Sequence, residues 1–226
     1  MGDVLAKRAA RRTVSPLLVL LIVVLVALVG LGGYLGWQFW GTNVLAADPA
    51  TDEVTALRDA WKAAPPPTQE EGEPVVVEEP TLHEPAWVLR IPTLDLQYPV
   101  IAGVDPDDLT RGVGWYPGTA LPGQLGNVAF AGNRTTHGKP FARLLELKVG
   151  DEVVIETARA VFTYTVVSAP GELTVNEDES WVIDPVPGRP DEVPTQAYLT
   201  LTTAEDLVAT DDRAVGFATL TTTETR

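Results

Sequence analysis

The chain passes through three regimes of hydrophobic patterning. Residues 17–35 form an unbroken uncharged run, LLVLLIVVLVALVGLGGYL. As a helix, at about 1.5 Å per residue, this run reaches about 28 Å. That is close to the roughly 30 Å hydrocarbon core of a bilayer and predicts a single transmembrane helix over 17–36. Tyr34, Trp37 and Trp40 at its end suit an interfacial aromatic belt. Further on, Val54, Leu57 and Trp61 recur at helical spacing behind Asp48 as a cap and Pro49 in the first position, which predicts a short, marginal stalk helix over 49–62. Periodicity is then lost: residues 63–85 hold six prolines and six glutamates with no lysine or arginine, a composition too poor in apolar residues to order itself. Residues 37–85 therefore read as a stalk and an acidic spacer.

From Ala86 the pattern changes to short apolar runs cut by Gly, Pro and Asp. Strands are predicted at 87–91, 99–103, 127–131, 152–156, 161–167, 197–203 and 214–220, with one helix around Pro140–Leu147. Many short strands and a single helix predict a mainly β domain, a small barrel or sandwich that carries its site on loops at one end.

Charge gives these elements an orientation. Lys7, Arg8, Arg11 and Arg12 precede the apolar run and no basic residue follows it closely, so residues 1–16 are expected in the cytoplasm and the chain beyond about residue 41 outside. A cleaved signal peptide competes with this anchor, because VLAAD at 44–48 offers small residues; the apolar run, however, is longer than a signal core, and those residues lie well beyond its end. The net charge is -15, and removing the +3 of residues 1–16 leaves -18, which makes nucleic acid and anionic headgroups poor partners. The 45% hydrophobic content supports one core, and 19 prolines with 19 glycines argue against two. There is no cysteine, hence no disulfide, thiolate ligand or thiol nucleophile. No EF-hand spacing or histidine cluster points to a metal, and no cofactor is expected.

Three motifs follow in order: GVGWYPGTALPG at 112–123, AGNRTTHGKPF at 131–141 and LTLTTAEDLVATDDR at 199–213. Together they resemble the sortases, membrane-anchored cysteine transpeptidases of Gram-positive bacteria, and most of all the class E type of actinobacteria. The resemblance covers residues 86–221 and implies a sortase-like eight-stranded β-barrel with one or two short helices. It also implies where the chemistry belongs. In the family pattern Ala-Gly-His-Arg-Thr-Thr-Tyr-Gly the catalytic histidine falls at Asn133 and the tyrosine at His137. In Leu-Thr-Leu-Thr-Thr-Cys-His-Pro the cysteine falls at Ala204, and Glu205-Asp206 replace His-Pro. The arginine that stabilises the oxyanion or positions the substrate is kept as Arg213.

An alanine methyl cannot form an acyl-enzyme, and an asparagine amide does not exchange a proton near neutral pH. The resemblance thus implies a pseudo-sortase, and the Glu205-Asp206 change, which deliberate inactivation would not need, favours a natural one. Thr202 shares the strand face of residue 204 but lies about 6.5–7 Å along the strand, while Thr203 faces the other side. Neither replaces the sulfur, and a threonine would need a base, for which the chain offers His83 in the spacer and His137. Arg213 lies among Glu205, Asp206, Asp211 and Asp212, either in surface ion pairs with them or free to grip a peptide carbonyl or carboxylate. The peptide-groove candidates are Arg213, Thr202, Asn133, Arg134 and Thr135. Trp115, Phe130, Phe141, Trp181 and Phe217 read as core or groove packing, and 183–196 resembles the family's Asp-Pro-x-Pro-Gly turn beside the groove. Expected partners are sorting-signal-like peptides, envelope proteins or an active sortase. Two alternatives stay open: a purely structural partner of an active sortase, and a residual hydrolase or transpeptidase with a non-cysteine nucleophile.

Overall fold

The structure is a computed structural model that describes residues 15–63, 75–206 and 210–226. The basic N-terminus up to residue 14, residues 64–74 of the spacer and residues 207–209 lie outside the described residues. The apolar run forms α1, Pro16–Gly36, with proline in the first turn, where its missing N–H is of no consequence. α1 is long and apolar enough to cross a membrane. It belongs to one compact unit, and Phe39–Arg226 make a second.

The second unit opens with α2, Thr42–Ala63, and continues with β1 (Pro85–Ile91), β2 (Leu96–Ala102), α3 (Pro106–Leu109), β3 (Val113–Trp115), β4 (Gly126–Ala131), β5 (Glu152–Glu156), β6 (Ala160–Ser168), β7 (Thr174–Asn176), β8 (Ala197–Ala204) and β9 (Asp212–Thr225). Neighbouring strands run β6-β5-β1-β2-β3-β4-β8-β9, and β9 returns to pair with β6. This closes the eight-stranded barrel that the resemblance implied; β7 lies outside the circle, on β9. The β2–β3 and β4–β8 pairs are parallel and the others antiparallel.

Alternation builds the barrel. In β6 the residues Ala160, Phe162, Tyr164 and Val166 are buried and the intervening ones half-buried, the period of two that puts one face inside. They join Trp87, Leu89, Trp115, Phe130, Leu199 and Leu201 in one core, where Trp87 and Trp115 meet edge to face with centroids 5.6 Å apart. Gly123 closes the 112–123 motif onto this interior. Its φ is +80°, a side chain there would run into Phe162, and its N–H donates to the buried Tyr164 hydroxyl at 2.8 Å. Burial pushes the Tyr164 phenol far up, so it stays neutral.

The structure departs from the sequence expectations in four places. β3 and β7 span three residues each, too short for a period-2 signal. The stretch expected as a helix around Pro140–Leu147 is a series of turns with a 3-10 segment at Leu144–Glu146. Its N–H bonds run three residues back, from Ala142, Leu144, Glu146 and Leu147 to Lys139, Phe141, Arg143 and Leu144, because Phe141, Leu144 and Leu147 must all be buried at a spacing of three. The stalk helix, expected over 49–62 with Asp48 as cap, begins at Thr42 and is docked: α2 packs against β1 and β2, with Ala50 and Val54 buried. Arg58 donates to both Glu156 oxygens at 3.1 and 2.9 Å, and Arg111 donates twice to Glu53 Oε1. Lastly, the described end of the spacer is ordered against the barrel, with Val77 buried and Glu78 paired to Arg159 at 3.0 Å.

Glu156 is the hub of this side. Burial alone would raise its carboxyl, but Arg58 and Arg226, with Arg90 beside them, outweigh that and hold it below the usual carboxylate range.

Candidate functional site

β4 and β8 run parallel with Ala131 beside Thr202, and Gly132 N–H donates to Thr202 O at 3.2 Å. Two residues further along lie Asn133, in the turn that follows β4, and Ala204, the last residue of β8. On the far side of β8, Ala204 pairs directly with Arg213 of β9. The three positions that the resemblance singled out thus converge at one end of the barrel. Leu199 and Leu201 enter the core, so Thr200, Thr202 and Ala204 occupy the opposite face of β8.

Close packing fixes the turn after β4. A Cβ on Gly132 would lie 2.6 Å from Cδ2 of the fully buried Phe141, whose N–H donates to Asn133 O at 3.0 Å. Thr203 spends its hydroxyl on Gly132 O at 2.8 Å. Asn133 Nδ2 donates to Leu109 O at 2.8 Å, the last residue of α3. α3 is itself held by a capping box between Asp105 and Asp108. His83 Nδ1 lies 3.1 Å from both Asp108 oxygens, and Arg111 donates to His83 O at 2.7 Å while gripping Glu53 of α2. His83 is therefore a bracing residue beside α3, placed by the ordered part of the spacer. Its ring, Asp105 and Asp108 come within 4.8 Å of one another, a grouping hidden in the sequence, but Asp108 already serves His83 and the helix N-terminus. Thr135 and His137 are half-buried in the turn that follows, where Tyr98 donates to Gly138 O at 2.6 Å.

Two arginines lie near Ala204, Arg134 in the turn after β4 and Arg213 on β9. Arg134 Nη1 donates to Glu205 O and lies 3.4 Å from Ala204 O, while its Nε is buried without a hydrogen-bond partner, as is Glu205 Oε2. Arg213 Nη1 donates to Thr210 O at 2.8 Å and Asp212 O at 3.1 Å, and its Nη2 to Glu177 Oε2 at 2.5 Å. Its carboxylate partner is thus Glu177, brought in by β7, and none of the four carboxylates near it in sequence. Tyr116 stands close by: burial pushes its phenol up and the Arg213 charge acts the other way, the net direction being up.

The remaining wall lies on the outer face of the barrel. Val175, Val182 and Val215 pack there with Trp181 and Phe217, whose rings are 6.1 Å apart. A buried polar triad pins it: Asn127 Nδ2 donates to Val182 O and Asp184 O, both at 3.0 Å, and the Thr200 hydroxyl lies 2.9 Å from Asn127 Oδ1 and 2.8 Å from Val182 O. Val128 and Phe130 of β4 enter the core, and these hydrogen bonds satisfy the buried Asn127 on its other face. A cavity of about 920 Å³ opens between α2, residues 76–87 and the 157–159 turn, and none of Asn133, Ala204 or Arg213 lines it.

The family model of the Sortase domain matches residues 89–221. The chain belongs to the sortase family. Sortase SrtE1 of Streptomyces coelicolor is 34% identical over 178 residues, which cover 74% of this chain and 46% of that protein. Sortase D of Bacillus subtilis is 28% identical over 144 residues, 60% of this chain and 70% of that one. The chain therefore spans about half the length of the Streptomyces relative. Among solved structures, sortase E from Streptomyces avermitilis is 37% identical with a TM-score of 0.58, over 64% of this chain and 93% of that one. Sortase E1 from Streptomyces coelicolor, solved with a tripeptide in its active site, is 28% identical with a TM-score of 0.57, over 64% and 92% of the two chains. The likeness to class E sortases thus holds in sequence and in fold.

Proposed function

We propose that this chain is a membrane-anchored sortase-family protein that binds a peptide beside Ala204 without cutting it. The observation that carries this reading is the pair of side chains at the converging ends of β8 and β4. A methyl group occupies position 204, and the amide at 133 is spent on Leu109 O. The covalent route of a cysteine transpeptidase needs a nucleophile and a group that moves its proton, and neither residue supplies one. Thr203, the nearest hydroxyl in sequence, is tied to Gly132 O, and Thr202 is buried two residues back along the strand. This favours binding over a residual hydrolase.

What supports a retained groove is the intact framework around the lost chemistry: Arg134 and Arg213 beside Ala204, Tyr116 near them, and the Trp181–Phe217 wall. The tripeptide in the active site of Streptomyces coelicolor sortase E1, a protein of the same fold, points to a peptide as ligand. Sorting-signal-like tails of the Leu-Ala-x-Thr-Gly kind are the probe of choice, presented by envelope proteins or shared with an active sortase. α1 would anchor the protein with its basic N-terminus in the cytoplasm and the barrel outside.

Isothermal titration of the detergent-solubilised full chain with a Leu-Ala-Ser-Thr-Gly peptide tests the reading, with mass spectrometry of the peptide afterwards. Saturable heat and an intact peptide are expected. A cleaved peptide, or no heat at millimolar concentration, overturns it.

A further inference from the structure

The surviving cation of the groove already holds a carboxylate. β7 pairs with β9 so that Val175 lies beside Arg213 and Asn176 beside Asp212, and Glu177 N–H then donates to Asp211 O at 2.8 Å. This ladder delivers the Glu177 carboxylate to Arg213 Nη2 at 2.5 Å. The pair stays accessible, with the two side chains 31% and 48% exposed. Arg134, reaching Ala204 O from the turn after β4, keeps a buried Nε donor with no partner. Arg134 thus reaches the backbone of residue 204, and Arg213 is that residue's partner across the β8–β9 ladder, in a chain whose charge beyond residue 16 is -18. A planar guanidinium fork matches a carboxylate better than the single oxygen of a neutral amide, and charge-assisted bonds are about twice as strong as neutral ones.

Building on the peptide-binding reading above, we propose that the ligand of this groove is a peptide chain end, whose free α-carboxylate displaces Glu177 from Arg213. Glu177 acts as a built-in competitor that occupies the carboxylate subsite until such an end arrives. No bond is made or broken, since residue 204 has no nucleophile. An exposed ion pair is weak, so exchanging one carboxylate for another costs little, and the rest of the peptide supplies the gain. A neutral amide in the same place leaves the fork with Glu177 and forfeits this contact.

The test uses the full chain in detergent and two peptides of one sequence, Leu-Ala-Ser-Thr, with either a free or an amidated C-terminus. By isothermal titration the acid should bind wild type about tenfold more tightly than the amide. Glu177→Gln should tighten binding of the acid about three- to fivefold, and Arg213→Lys should shrink the difference between acid and amide. Equal binding of acid and amide to wild type, or an acid affinity unchanged by Glu177→Gln, overturns the proposal while leaving peptide binding intact. Failure of both peptides to bind either protein overturns both readings.

Discussion

Replacing Asn127 by alanine should loosen the groove wall and leave the barrel standing. Asn127 is 1% exposed, and its amide donates to Val182 O and Asp184 O at 3.0 Å each, with Thr200 Oγ1 2.9 Å from its oxygen. After truncation Val182 O keeps the Thr200 hydroxyl at 2.8 Å, and Asp184 O, only partly buried, can take a water. The loss is then two net hydrogen bonds, at about 1 kcal/mol each, plus a small cavity, or about 2–3 kcal/mol in all. In a domain of this size 1 kcal/mol moves Tm by about 2–4 °C, which predicts a fall of about 5–10 °C. Asn127→Asp should cost more, because it sets a carboxylate against two carbonyl oxygens that the amide served as a donor. Thermal melts measure the fall, and hydrogen exchange locates it: amides of 180–187 should lose protection while those of the β5–β6 ladder keep theirs. A Tm within about 1 °C of wild type, or loss spread evenly over the barrel, would refute the idea that this triad pins the wall.

Three further changes probe the rest of the account. Ala204→Cys with Asn133→His should restore acyl-enzyme formation on a Leu-Ala-Ser-Thr-Gly peptide, visible by intact-protein mass spectrometry; the same adduct on wild type, or none on the double variant, would show that these two positions do not decide the chemistry. Gly132→Ala forces a Cβ to 2.6 Å from Phe141 and should destabilise the protein by about 1–3 kcal/mol, so an unchanged melting curve would contradict the packing described. Glu156→Gln breaks a buried carboxylate shared by three arginines and should cost about 3 kcal/mol at neutral pH. Burial works against the charge on Glu156, but the arginines prevail and depress its folded-state pKa, so its stabilisation is complete above the unfolded carboxyl value of about 4.3 and disappears as pH falls through the lower folded value. The Tm gap between wild type and Glu156→Gln should accordingly narrow below about pH 4; a constant gap from pH 7 to pH 3 would sink this assignment.

The barrel was readable in the sequence because its strands announce themselves by alternation, as Phe162, Tyr164 and Val166 do in β6, and because three motifs lie in family order. Local pattern failed where distant partners decide. α2 reads as a marginal helix since nothing near it reveals Glu156, 98 residues from Arg58, or Arg111, 58 residues from Glu53. The turns after Pro140 carry apolar residues every three positions, a spacing that fits a helix face on paper and a 3-10 path in a tight corner. The motifs mark Asn133, Ala204 and Arg213 as candidates, and the ends of β4 and β8 with the β8–β9 pairing bring these positions to one end of the barrel. Glu177 was not, because it lies 36 residues from Arg213 and reaches it through a three-residue strand with no pattern of its own. Leu109 was equally hidden: it acts through its backbone carbonyl, which every residue type possesses.

The most direct measurement is an NMR titration of the detergent-solubilised full chain with a Leu-Ala-Ser-Thr-Gly peptide, following the amides of Asn133, Ala204 and Arg213 and the integrity of the peptide in the same tube. The account predicts saturable shifts clustered at these three positions and a peptide that stays whole. Shifts absent from this end of the barrel, or peptide cut at the Thr-Gly bond, would contradict it.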